Sequence, residues 1–221
     1  MINNRKSFIE KPELNEVGKN LFNGKIGLEK ESIRFNKKTI SKQSHQALFG
    51  PALYNQYITT DFSDAQLELI TPPFSDNKAL LEFLNHLHHY IAYYLDQEYI
   101  WPLSMPFFFK SDLEIPIADY GSSNEARFKH IYRNGLANRY GRIMQTISGI
   151  HVNYSLPKEL FRLFGIGDMN YSNKEFKSEV YFRMTRNIHR YSWLILFLFG
   201  CSPIVSKNFI NNRYKFQKLK G

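Results

Sequence analysis

One cysteine, Cys201, stands alone in 221 residues, so no disulfide can form within the chain. That fits a reducing compartment. The stretch MINNRKSFIEKPELNEVGKN lacks the apolar centre of a secretory leader. Nor is there a run of about 20 apolar residues, the length a bilayer requires. The most apolar segment, WLILFLFGCSPIV (Trp193 to Val205), is broken by Gly200 and Pro203 and reads as the buried end of a helix. A cytoplasmic protein without a membrane partner is expected. Acids are also scarce: 20 Asp and Glu stand against 29 Lys and Arg, giving a net charge of +9. Such a balance favours anionic partners, among them nucleotides and small carboxylates. Yet neither phosphate loop occurs. GRIMQTISG (Gly141 to Gly149) does not match the Walker A pattern, and no GxGxxG is present. Phosphate binding would have to be led by a metal. Nucleic acid is not an expected partner, because no known binding motif is present and the acids gather where phosphate would lie.

What is present is enough for a core, with 43% hydrophobic and 16% aromatic residues. Residues 7–22 suggest an amphipathic helix, and KIGLEKESIRF (Lys25 to Phe35) suggests a strand. Residues 57–71 read as one or two strands stopped by Pro72 and Pro73. Ser75 is placed to cap a helix over 76–97, with Leu80, Leu84, Leu87, Ile91 and Tyr94 on one face. His86 and His89 share a face of that helix without a third ligand nearby, which reads as a solvated face. WPLSMPFFF should be extended. Ser122 and Glu125 have capping-box spacing for a helix ending near Gly141. Residues 142–156 read as a long strand and 174–199 as a long helix, with Cys201 a small core residue beyond it. SKNFINNRYKFQKLKG has five cations and no acid and reads as a loose tail. The fold class is α+β, an antiparallel or mixed sheet with long helices outside.

The chemistry lies in ITTDFSDAQLELITPP (Ile58 to Pro73), where core-like residues alternate with Asp61, Asp64 and Glu68. A buried carboxylate without a partner is costly. In a strand, residues i and i+2 share a face roughly 6.5–7 Å apart. Glu29 and Glu31 therefore lie beside Ile33 and Phe35, opposite Lys30, Ser32 and Arg34. Glu68 shares a face with Gln66 and Ile70, opposite Leu67 and Leu69. Gln145, His151 and Asn153 make a polar face, and Met144, Ile150, Val152, Tyr154 and Leu156 an apolar one. Paired glutamates suit a solvated face as well as a bound cation, and a lone histidine suits a structural hydrogen bond as well as a ligand. Asp64 suits a turn. An oxygen-rich set favours Mg²⁺ or Mn²⁺. Arg127, Lys129, Arg133, Arg139 and Arg142, on or beside one helix, add support for a phosphate substrate.

GLEKESIRF, ITTDFSDAQLELITPP, WPLSMP, the stretch from YGSSNEARFKHIYRNGL to SGIHVNYSLP, and YFRMTRNIHRYSWLILFLFGCSP occur in this order from Gly27 to Pro203. Together they resemble the N-terminal part of bacterial glutamate–cysteine ligase of the proteobacterial type. The resemblance implies a glutamine-synthetase-like sheet forming part of a cup, here an incomplete domain. Residues 1–205 would be the N-terminal part of the catalytic domain and 206–221 a divergent basic tail. It implies the ATP-dependent joining of L-glutamate to L-cysteine, the first step of glutathione synthesis, through a γ-glutamyl phosphate. It implies Glu29, Glu31, Asp61, Glu68 and His151 as Mg²⁺ ligands. Glu29, Glu68 and Arg133 would be catalytic, and Tyr132 and Gln145 would touch substrates. Family members are considerably longer. A truncated, inactive fragment, or one half of a split ligase partnered by a separately encoded C-terminal half, is the alternative expectation.

Overall fold

The structure is a computed structural model, and it describes residues 12–37, 39–106, 109, 111–164, 174–200 and 209. The chain forms two compact units, Gly27–Asn153 with Ile204–Gly221, and Met1–Ile26 with Tyr154–Pro203.

The larger unit is built on an antiparallel sheet. Strand β1 (Lys25–Phe35) lies between β3 (Gln66–Ile70) and β4 (Tyr99–Ile100), and β2 (Ile58–Thr60) lies outside β3. A further strand, β5 (Ile150–Ser155), also pairs with β1. Alternation along the strands divides the sheet into two faces. Lys30 and Ser32 lie across from Leu69 and Leu67, so they share the face on which both leucines are buried. Helix α2 (His45–Phe49) contributes Phe49 to that face, and helix α3 (Asn77–Tyr94) contributes Leu87 and Ile91. On the other face Ile33 enters a second cluster with Phe62, Phe109, Ile115 and Ile143. Helices α4 (Asn124–Tyr140) and α5 (Arg142–Gln145) follow on this side of the chain.

The helix caps differ from the sequence expectation by one residue each. Asp76, not Ser75, caps α3, its carboxylate accepting from the N–H groups of Lys78 and Ala79. Ser123, not Ser122, caps α4 through the N–H of Ala126, and Gly141 at φ 85° ends it. In both cases two cap-capable residues are adjacent, and periodicity does not choose between them. Leu80, Leu87 and Ile91 are buried as expected, while Tyr94 is exposed. His86 and His89 are exposed.

The expected long strand over 142–156 is corrected more substantially. Residues 142–145 are helical, and the strand covers only Ile150–Ser155. Asp112 causes this: its two carboxylate oxygens accept from the N–H groups of Arg142 and Ile143, capping α5 from 30 residues away. Gln145 therefore does not extend the strand face of His151 and Asn153. Nor is the apolar face of β5 covered throughout, since Ile150 and Val152 are exposed.

The smaller unit has its own core. Leu156, Leu160, Phe161 and Val180 are buried with Val17 and Met184 beside them. They come from α1 (Pro12–Leu21), the residue just after β5, α6 (Lys158–Phe164) and α7 (Lys174–Phe199). Helix α7 has the expected length, but its apolar end is not buried. Phe197 and Phe199 are 80% and 81% exposed. The run is apolar all round, and a helix contacting the core on one side leaves the rest in water. Among the described residues no helix is long and apolar enough to cross a membrane. Cys201 and most of 206–221 lie outside the described residues, but Phe209 is buried against Phe109, so the segment is not loose at that point.

Candidate active site

The pairing of β1 with β3 sets Glu31 directly across from Glu68, on one face. Glu29 is two residues along β1, and Thr59, opposite Glu68, places Asp61 on the same side by alternation. His151 of β5 lies between the β1 acids, with Nδ1 3.2 Å from Glu29 Oε2 and Nε2 3.9 Å from Glu31 Oε1. Asn153 Nδ2 donates to Glu29 Oε1 at 2.8 Å. The Gly149 N–H donates to Glu31 Oε2 at 3.1 Å, and the Glu31 N–H donates back to the Gly149 carbonyl at 3.0 Å. The structure thus brings Glu29, Glu31, Asp61, Glu68 and His151, the set that the resemblance implied, to one side of the sheet.

The electrostatics follow from crowding. Glu68 is pushed up to about 7, first by burial and then by Asp61, Glu29 and Glu31, with His151 opposing. Glu31 is raised, mainly by burial, and the Gly149 N–H partly offsets the rise. Two half-buried carboxylates short of countercharge form a hard-donor set, the kind that Mg²⁺ or Mn²⁺ favours. The residues therefore fit such an ion by donor type. Among the described residues, no three of the acids and histidines stand arranged around a single ion position.

Arg133 is the cation of α4 that reaches this cluster. Its Nε donates to the Asp61 carbonyl, and Nη2 is 3.8 Å from Asp61 Oδ1. The other cations have separate work. Arg142 donates to the Ile115 carbonyl, and Arg139 lies over its neighbour Tyr140. Lys129 lies over Tyr120. The row of cations on this helix is thus not one phosphate-binding strip. Tyr132 is exposed on α4. Gln145 ends α5 and makes no hydrogen bond to the acids, but the chain runs from it through Thr146 and Ser148 to Gly149. Asp64 behaves as a turn acid, accepting from the His45 and Asp119 N–H groups.

The contacts made by two contributing residues gave no sequence signal. Gln66 is fully buried, accepts from the Phe62 N–H and donates to Ser148 Oγ at 3.3 Å, fixing the loop that delivers Gly149. Tyr120 donates to the carbonyls of Thr60 and Asp61. These contacts span 82 and about 60 positions, beyond any local periodicity. Asn153 was legible, two residues from His151.

A family model described as glutamate-cysteine ligase matches residues 10–221. A glutamate–cysteine ligase of Yersinia pseudotuberculosis is 47% identical over 189 residues, covering 85% of this chain and 36% of that protein. One from Pseudomonas putida is 43% identical over the same shares. The chain thus spans about a third of the length of these relatives. A glutamate–cysteine ligase of Francisella tularensis, solved in complex with AMP, superposes with TM-score 0.77 at 36% identity, over 87% of this chain and 38% of that one. A bifunctional glutathione synthetase of Pasteurella multocida gives TM-score 0.74 at 34% identity, over 87% of this chain and 25% of that one. On this similarity, the chain belongs to the glutamate-cysteine ligase family.

Proposed function

We propose that this chain carries the acidic wall of a ligase site that joins the γ-carboxylate of L-glutamate to the amine of L-cysteine at the expense of ATP. The product is γ-glutamylcysteine, on the route to glutathione. The observation that carries the reading is the Glu31–Glu68 pair, face to face across two strands with His151 and Asp61 beside it. Glu29, Glu31, Asp61, Glu68 and His151 would hold Mg²⁺ or Mn²⁺, and the ion would neutralise the polyphosphate of ATP against the gathered carboxylates. Transfer of the terminal phosphoryl group to the glutamate γ-carboxylate gives an acyl phosphate and ADP. Attack by the cysteine amine then expels inorganic phosphate. Arg133, its side chain largely buried against Asp61, supplies a fixed positive charge beside these reacting anions. On this reading Tyr132 and Gln145 are candidate substrate contacts. On this reading the sheet is part of a glutamine-synthetase-like cup, residues 1–205 belong to the catalytic domain, and the protein works in the cytoplasm.

Calorimetry tests the metal-led part directly. ATP should bind only with Mg²⁺ present, and Mg²⁺ binding near pH 6 should release protons, because Glu68 must lose its proton first. Glu31→Gln and Glu68→Gln should each weaken Mg²⁺-dependent ATP binding at least tenfold. Equal ATP binding in EDTA, or wild-type affinity in both variants, would sink the proposal.

A further inference from the structure

Tyr120 follows the isolated bridge between Ser63 and Ile117, in a segment tied by the Ala118 N–H to the Phe62 carbonyl at 3.0 Å. Its ring is 6% exposed and packs with Ala52, Ala118 and Ala126. Three of its contacts converge on residues of the site. The hydroxyl donates to the carbonyl of Thr60 and, at 3.1 Å, to that of Asp61. The guanidinium of Arg133 lies over the ring, 4.7 Å from its centroid. Lys129 Nζ lies 5.2 Å from the same centroid, so the ring carries two cations of one helix. Arg133 in turn donates from Nε to the Asp61 carbonyl, which therefore receives both the tyrosine and the arginine.

We infer that Tyr120 is a positioning residue that fixes the Asp61 backbone and the Arg133 guanidinium together. The inference rests on the site reading above for its functional meaning. A tyrosine is the residue this position requires. The ring face attracts a guanidinium, while the hydroxyl at the ring edge reaches the end of β2. Phenylalanine would keep the first contact and lose the second, and leucine would lose both. Tyr120 touches no reacting group. It acts by holding a carboxylate-bearing turn and a cation at one fixed separation, so that the acid is not neutralised by a freely moving arginine.

The purified 221-residue chain is the material for the test, with Mn²⁺ alone as probe, followed by electron paramagnetic resonance. Asp61→Asn should weaken Mn²⁺ binding and so checks the site reading by itself. Tyr120→Phe should weaken it roughly tenfold, the order expected for supports behind ligands. Leu53→Ala, which loosens the same cluster without removing the hydroxyl, should lower the melting temperature without changing Mn²⁺ affinity. In nuclear magnetic resonance spectra the Arg133 Nε–H proton should carry the upfield shift of a ring below it in wild type and Tyr120→Phe, and lose it in Tyr120→Leu. If Asp61→Asn weakens Mn²⁺ binding and Tyr120→Phe does not, or if Leu53→Ala weakens it as much as Tyr120→Phe, the inference is overturned. It is also overturned if Tyr120→Leu leaves the Arg133 signal in place. If Asp61→Asn binds Mn²⁺ as wild type does, the metal reading fails instead, and the Arg133 signal alone decides the role of Tyr120.

Discussion

Glu68 concentrates the strain of this site in one side chain. Its pKa of about 7 lies above the ordinary glutamate value, so the folded protein holds the proton more tightly than the unfolded chain does. By linkage, the stability conferred is fully present below the ordinary glutamate range and is lost as pH rises through about 7. Glu68→Gln removes the titrating group and keeps its shape. Its urea midpoint should match wild type at pH 5 and exceed it at pH 8. Added Mg²⁺ should raise the wild-type midpoint at pH 8 and leave the variant nearly unchanged, since a ligand that binds only the folded state stabilises it. A variant that is less stable than wild type at pH 8 would show that burial, not charge, governs this position. The same logic explains why a glutamate between two leucines is tolerated. Alternation sends Leu67 and Leu69 into the core and Glu68 to the acidic face.

Strand β4 has two residues and two register pairs with β1, too few to hold itself. Just before it stands Glu98, 3.0 Å from Arg34, whose side chain is fully buried near the C-terminal end of β1. Arg34 also donates to Ser41 Oγ and to the carbonyls of Gln43 and Asp64, so one guanidinium ties three segments to the sheet. Burial pushes the Arg34 pKa down and Glu98 pulls it back up. Glu98→Ala would leave a buried charge uncompensated, at a cost of about 3–5 kcal/mol. Asp76→Ala, which removes only the α3 cap, should cost about 1 kcal/mol. Chemical denaturation of the two variants compares them directly. A Glu98→Ala loss no larger than that of Asp76→Ala would show that water reaches Arg34 and that the pair is not what holds β4. In the sequence, Arg34 is placed only on the face opposite Glu29 and Glu31, with no sign of a partner. Its burial is a property of the helices laid over that face.

At the scale of the molecule, the acidic face is open among the described residues. The side chains of His151 and Asp61 are 57% and 45% exposed. An acyl phosphate formed there would meet water before an amine, and ligases prevent this by closing the site. The purified 221-residue chain should therefore bind Mg²⁺ and ATP yet form no γ-glutamylcysteine above background. The assay is phosphate release that depends on both amino acids, with the product sought by mass spectrometry. Product formation that Glu68→Gln abolishes would show that this face is shielded in solution. The apolar end of α7 should also make the chain bind a hydrophobic dye strongly, because contiguous exposed apolar surface of this kind is uncommon in soluble monomers.

From the sequence alone follow the strands of Lys25–Phe35 and Gln66–Ile70, the extents of the long helices to within a few residues, and the shared face of Glu29 and Glu31. Each of these follows from a period of two or 3.6 residues and from side-chain direction along a single segment. Tertiary structure alone decided that Glu31 stands across from Glu68, because register depends on which strands meet. It also decided that residues 142–145 form a helix, because the cap comes from Asp112, and that Tyr120 lies beneath Arg133. Contacts between residues tens of positions apart leave no local pattern, since what selects them is the packing of elements against one another.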